Sequence, residues 1–138
     1  MENLMARADV VINAPVAKVW DAFVNPEVIK QYMWGTTVES DWKVGSDIVW
    51  SGEWEGKPYR DVGKILQFEE NRALVYSHQS PAADGTMLMH TVMIEFTGDD
   101  THTHVMLSQD GSENEAAQAK SEGNWKMMLD SVKKLLEK

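Results

Sequence analysis

Two histidines and a glutamine fall on segments that we predict to be three neighbouring strands, and they are the first candidates for chemistry. A turn centred on Asp84 would place His78 opposite His90 across an antiparallel pair. A tight turn over residues 98–101 would place His90 opposite Gln109 on the next strand. Because these neutral side chains both donate and accept hydrogen bonds, the row could hold the polar end of an otherwise apolar ligand. The alternative is that the histidines lie exposed at the rim of the sheet and have no role.

Asp61 is the carboxylate that could act together with these histidines. The tight turn at residues 55–56 predicts that Asp61 lies opposite Trp50 on the preceding strand. If the face that bears Ile48 and Ile65 is the inner one, Asp61 lies in apolar surroundings that raise its pKa. A carboxylate of this kind could serve as a general base.

Two alternatives to an inward Asp61 remain open. The opposite strand parity would turn Asp61 to water and bring Val62 inward, whereas a bulge near Gln67 could mix the two parities.

No metal site is predicted, because zinc would need a third ligand beside His78 and His90, and only Asp61 or a water could provide it. Asp61, His78 and His90 are therefore weak catalytic candidates, and no cofactor is expected.

The aromatic and methionine side chains suit either a solid core or the lining of a cavity. The chain holds nine Met and six Trp, and these residue types fill irregular apolar space and supply large contact surfaces. Trp20 and Trp125 fall in apolar stripes of predicted helices, so we interpret them first as anchors of the fold. The full set of predicted cavity residues is Tyr32, Trp34, Trp50, Trp54, Tyr59, Tyr76, His78, His90, Gln109, Trp125 and Met128.

Composition narrows the class of protein. The 138 residues include 13 basic and 22 acidic side chains, for a formal charge of −9, and a negative surface repels nucleic acid and anionic lipid. The chain has no cysteine, which excludes disulfides and thiolate chemistry. The first residues lack an apolar run long enough for a signal peptide or a membrane span. We therefore expect one cytoplasmic domain over residues 1–138, with no nucleic-acid partner and no membrane insertion.

The periodicity of apolar residues predicts the elements that must position these side chains. Residues 4–13 alternate like a half-buried strand, Asn13 could cap a helix that begins near Pro15, and a second short helix would end near Met33. From Thr37 the pattern is that of six strands, and a capping box over residues 112–115 would start a helix that runs to the end. The fold class is therefore α+β: a curved antiparallel sheet of about seven strands grips a long C-terminal helix. The edge of the first strand is expected to be exposed and could permit dimerisation.

In this order and spacing, the chain resembles the SRPBCC, or START-like, superfamily of helix-grip proteins. Within that superfamily it is similar to the branch related to the activator of the ninety-kilodalton heat-shock protein ATPase, the AHSA-type domain. The residues that carry the resemblance are Ala14-Pro15, Val19-Trp20, Val44-Gly45, residues 63–65 and 72–76, Val92, Ile94, Phe96, residues 123–125 and Leu129. The chain departs from the usual pattern at Ser46 and Asn124, where glycine is common, and either change could reshape the cavity lining.

The resemblance implies a hydrophobic cavity between the long helix and the concave sheet, which members of the superfamily use to hold apolar small molecules. It does not imply a reaction. We therefore expect binding of a hydrophobic or aromatic small molecule. The alternatives are a cyclase- or aromatase-type enzyme that uses the cavity Asp and His residues, and a chaperone-interaction domain like the activator that gives the branch its name.

Overall fold

The described residues form seven strands and three helices. The computed structural model describes residues 4–33, 35–54, 56–81, 87–112 and 114–137. In chain order the elements are β1 (Leu4–Ile12), α1 (Val16–Val24), α2 (Pro26–Tyr32), β2 (Thr37–Ser40), β3 (Asp47–Trp54), β4 (Lys57–Glu69), β5 (Ala73–Pro81), β6 (Met87–Gly98), β7 (Thr103–Ser112) and α3 (Glu115–Leu136). The strands form one antiparallel sheet in the order β1-β7-β6-β5-β4-β3-β2. This architecture confirms the predicted helix-grip fold.

The helix starts differ from the prediction at two of three positions. Pro15 precedes α1 without a side-chain cap, so the prediction of an Asn13 cap is wrong. The backbone N–H of Asn13 instead donates to the Glu137 carboxylate at 2.8 Å. α3 begins after Asn114, whose side chain accepts from Ala117 N at 2.8 Å, rather than at Ser112, because that serine still belongs to β7. Within the described residues, no helix has the length and hydropathy that a membrane span needs.

The buried face of α3 lies in its C-terminal half. Met128, Leu129, Val132 and Leu136 are its buried residues, and Leu129 and Val132 have no exposed surface. Residues 115–124 contribute no buried side chain to the core. The helix is therefore anchored from Met128 onwards, and its first turns form a wall over the sheet.

Side chains of α3 and of the residue after it cover the free edge of β1. Every second residue from Met5 to Asn13 has a backbone N–H or C=O group that points away from β7, and a side chain at or near α3 forms a hydrogen bond with each of these groups. The five bonds are Gln118 to Met5 O (2.8 Å), Arg7 N to Glu122 (3.0 Å), Lys126 to Asp9 O (3.1 Å), Lys133 to Val11 O (2.8 Å) and Asn13 N to Glu137 (2.8 Å). An uncovered strand edge recruits other chains. The edge is therefore not exposed as the sequence suggested, because polar side chains of α3 complete its hydrogen bonding.

Strand register follows the prediction on one side of β6 and departs from it on the other. His78 lies opposite His90, as expected, although the turn centred on Asp84 lies outside the described residues. Gln109 lies opposite Val92 instead of His90, so the predicted β6–β7 register is wrong. The Asp99 carboxylate causes the shift, because it accepts from Thr101 N at 2.8 Å and from His102 N at 3.1 Å and so fixes a loop over 99–102. The bonds from Thr101 and His102 lower the pKa of Asp99 to about 2.

Candidate functional site

Two spaces lie along the inner side of α3. The first, the inner cavity, has a volume of about 40 Å³ between the helix and the concave face, and its aromatic lining comprises Phe23, Tyr32, Trp42, Trp50, Tyr76 and Trp125. The second, the outer groove, has a volume of about 620 Å³ and is lined by Met33, Gln109, Ser121, Asn124, Trp125, Met127 and Met128. Small-molecule sites usually measure about 300–1,000 Å³. The interior is thus largely filled by side chains, and of these two spaces the outer groove has the volume of a small-molecule site.

Trp125 stands between the two spaces. Together with Met33 and Met128 it lines both of them. Its indole N–H donates to Gln109 Oε1 at 2.8 Å, which fixes the ring against β7. The residue is therefore both an anchor, as predicted, and a wall of the groove.

An aromatic and imidazole cluster continues along the concave face. The Trp50 ring lies 5.2 Å from Tyr76 and 5.3 Å from His78, measured between ring centroids, and the His78 and His90 rings stack at 6.4 Å. His90 Nδ1 lies 2.8 Å from the carbonyl oxygen of Asp110. Because a carbonyl can only accept, Nδ1 carries the proton of this bond. The predicted pairing of His78 with His90 is therefore observed, whereas Gln109 lies opposite Val92, two residues further along β6.

Asp61 lies on the same face as this cluster, opposite Trp50. The face of β3 and β4 that bears Ile48 and Ile65 is the inner one, since these residues are 2% and 0% exposed. The bulge that we considered near Gln67 is observed as well. The Asp61 side chain is nevertheless 43% exposed, with its Oδ2 atom 3.9 Å from His78 Nε2. The enclosed apolar setting that the inner parity predicted for Asp61 is therefore not formed. A small movement would bring the carboxylate and the imidazole into hydrogen-bond contact, and such a pair could relay a proton.

Burial sets the protonation of the neighbouring groups. It lowers the pKa of His78 below 6.5, against the opposing effect of Asp61, and His90 lowers it further. Burial also raises the pKa of Tyr76 and that of Tyr32, and the Tyr32 hydroxyl donates to Ala22 O at 2.7 Å. The imidazole and both phenols are thus neutral at physiological pH. Among the described residues, no three His, Asp or Glu side chains form a group that could hold a metal ion.

Several predicted cavity residues lie elsewhere or outside the described part of the chain. Trp34 and the side chain of Trp54 are outside it. Tyr59 is half-buried, and its hydroxyl lies 2.5 Å from Thr36 Oγ1. The groove residues Ser121, Asn124 and Met127 were not predicted. Residues 121, 124, 125 and 128 are spaced so that they share one face of a helix, which indicates a common lining. Because Ser121 and Asn124 are polar, they were not counted as part of the apolar stripe.

The lowered pKa of His78 predicts a specific pH dependence of stability. The unfolded chain binds a proton near pH 6.5 and the folded chain binds it at lower pH, so this residue's contribution is complete above about pH 6.5 and is lost as the pH falls below it. Melting curves between pH 7.5 and 5.0 should show a larger loss for the parent than for His78→Gln. His104→Gln, at a half-exposed histidine that pairs with Asp9, is the control. Equal losses for the parent and His78→Gln would contradict the prediction.

The chain matches a known protein family over most of its length. The family model for Activator of Hsp90 ATPase homolog 1-like protein matches residues 13–137. The solution structure of ChR145 from Cytophaga hutchinsonii is 51% identical, with a TM-score of 0.83, and the match covers 99% of this chain and 97% of that one. No match was found among curated proteins.

More distant structures share the fold alone. The protein MLL2253 from Mesorhizobium loti is 21% identical, with a TM-score of 0.82, and 96% of each chain is covered. The Aha1 dimer from Colwellia psychrerythraea is 18% identical, with a TM-score of 0.73, and the match covers 99% of this chain and 97% of that one. The fold therefore persists at low sequence identity.

Proposed function

The chain belongs to the family of Activator of Hsp90 ATPase homolog 1-like proteins, and from this premise we propose that it binds a hydrophobic or aromatic small molecule in the outer groove. The observation that carries the proposal is the groove itself, which has a volume of about 620 Å³ beside Trp125 and Met128. Methionine and tryptophan walls with two amides and one hydroxyl suit a ligand that is apolar over most of its surface.

The size of the groove suggests a modest affinity. A two-ring aromatic molecule that buries about 250 Å² of apolar surface gains about 6 kcal/mol. The costs of association reduce this gain, so we expect dissociation constants of about 100 µM to 1 mM. In this proposal Trp125 and Met128 form the walls of the groove, and Gln109 supplies a polar contact.

The direct test is to look for a ligand and for stabilisation by one. Native mass spectrometry of freshly purified protein should show an added mass of a few hundred daltons. A thermal-shift panel of apolar and aromatic compounds should contain one class that raises the melting temperature. A ligand at ten times its dissociation constant stabilises the fold by about 1.4 kcal/mol, which corresponds to a few degrees. A clean apo mass and no shift across the panel would overturn the proposal.

Filling the groove should abolish binding without unfolding the protein. Ser121 lies on α3, lines the groove and is half-buried, so the indole of Ser121→Trp would occupy ligand space. We expect affinity for any compound found in the panel to fall at least about tenfold, the effect of losing about 1.4 kcal/mol of contact. Titration calorimetry measures this loss. Lys120→Trp is the control, because Lys120 is exposed on the same turn and does not line the groove. An equal effect of both substitutions would count against the groove as the site.

A second candidate function is activation of a chaperone ATPase, which the family description names. The observation that favours it is the outer face of the sheet, where Met89, Met93 and Met106 are 58%, 39% and 38% exposed. Exposed methionines suit adaptable protein contacts. The test is the ATPase rate of the ninety-kilodalton chaperone with and without this protein. A stimulation that Met93→Glu removes and Ser121→Trp leaves intact would assign activation to the outer face.

A further inference from the structure

We infer that the ligand of the outer groove is an uncharged aromatic molecule that carries a hydrogen-bond acceptor, such as a ring carbonyl, and that Gln109 Nε2 recognises this acceptor. The inference rests on the proposed function and specifies the chemical class that the same groove takes. It excludes, as preferred ligands, carboxylates, ammonium ions and molecules whose polar group can only donate.

The first step is the orientation of the Gln109 amide. An indole N–H can only donate, so the bond of 2.8 Å from Trp125 Nε1 identifies the amide oxygen as the atom that faces the indole. The amide nitrogen, Nε2, then carries two N–H donors on the other branch of the amide. In the part of the chain that the structure describes, no group accepts a hydrogen bond from Nε2. Because Gln109 lines the groove, these donors are left for a ligand.

The second step is the cost of covering these donors. Gln109 is half-buried, so a ligand that fills the groove removes water from its amide. A buried donor without an acceptor costs more free energy than a typical hydrogen bond contributes. A purely apolar ligand, or one with N–H groups alone, leaves Nε2 in that state. The preferred ligand therefore presents an acceptor.

The third step is the charge of the lining. The described residues that line the groove include the polar side chains of Gln109, Ser121 and Asn124, but no lysine, arginine, aspartate or glutamate. A charged ligand group inside the groove would lose water without gaining an ion pair. The net charge of −9 also repels carboxylates, and an ammonium group would face the two donors of Gln109. A neutral acceptor avoids all of these costs.

Three aromatic probes test the inference: coumarin, whose oxygens only accept; indole, whose N–H only donates; and coumarin-3-carboxylate, which adds a negative charge to the coumarin body. In the parent protein, calorimetry should show that coumarin binds about fivefold more tightly than indole, the effect of one hydrogen bond, and that coumarin-3-carboxylate binds weakest. Indole binding as tightly as coumarin, or the carboxylate binding tightest, would overturn the inference. The proposed function would then stand, because the groove would still bind aromatic molecules.

Gln109→Glu is the sharper test, because it removes both N–H donors and keeps an oxygen that accepts from Trp125. We expect coumarin to lose at least about fivefold in affinity and indole to gain affinity from the new acceptor, so that the order of these two probes reverses. Gln67→Glu is the control. It adds the same charge at an exposed residue of β4 that does not line the groove, so it should keep the order of the parent.

Two results with the variants would overturn the inference. Gln109→Glu could bind both probes as the parent does, or the two substitutions could have equal effects, which would assign the order to charge and not to Nε2. If Gln109→Glu fails to fold, the order of the three probes in the parent protein decides. Binding of none of the probes by the parent would overturn both the inference and the proposed function.

Discussion

Replacing Gly63 with alanine is expected to lower the free energy of unfolding by about 3 kcal/mol or more, the upper range for overpacking in a rigid site. A Cβ atom at this position would lie 1.8 Å from the carbonyl oxygen of Ser77 and 3.3 Å from a ring carbon of Trp50. The nearer atom belongs to the backbone of β5, so β4 and β5 would have to separate. Urea unfolding followed by tryptophan fluorescence measures the change.

Gly123→Ala provides the matched control for this substitution. Gly123 lies inside α3, is exposed, and its added Cβ would meet no atom within 4 Å. Alanine in an exposed helix interior is about 0.8 kcal/mol more favourable than glycine, so this variant should be more stable than the parent. If Gly63→Ala were as stable as the parent, the close approach of β4 and β5 would be wrong.

The Gly63 substitution should also report on the candidate site. Asp61 and His78 lie on the two strands that approach each other at Gly63, with 3.9 Å between their nearest side-chain atoms. Separating β4 from β5 would widen that distance. The loss of stability in Gly63→Ala should therefore come with a wider separation of Asp61 and His78.

The sequence was sufficient for most of the fold because its signals are local. Alternation predicted the strands, and the tight turn at 55–56 predicted the register in which Trp50 lies opposite Asp61. The β6–β7 register was wrong because the Asp99 side chain, and not loop length, fixes that turn. Coverage of the β1 edge was missed as well, since it depends on which α3 side chains reach across to the strand.

The residue types of the candidate site could be predicted from the sequence, but the volumes of the inner cavity and the outer groove could not. His78 and His90 were expected to pair, and they do, because hairpin pairing follows from register. Whether a cavity remains depends on how the large rings are oriented, and Trp125 takes its orientation from a hydrogen bond to Gln109, whose strand register had been assigned incorrectly. An inner cavity of about 40 Å³ beside a groove of about 620 Å³ is the outcome of that packing.

The groove therefore depends on how α3 is held. Its first turns supply Ser121 and Asn124 to the groove but bury nothing, and they are tied to β1 by the hydrogen bonds of Gln118 and Glu122. Exposed polar bonds of this kind each contribute about 1 kcal/mol. The larger share of the free energy that holds the helix must come from its buried C-terminal half.

Leu129→Ala should accordingly destabilise the protein by about 3 kcal/mol, within the usual range for truncating a buried leucine. Leu129 has no exposed surface, whereas Met127, two positions earlier on the same helix, is 52% exposed. Met127→Ala should therefore cost less than about 0.5 kcal/mol, and chemical denaturation of both variants gives the comparison. Equal costs would mean that the polar bonds to β1, and not the buried stripe, anchor the helix. The first turns of α3 would then be the more rigid wall of the groove.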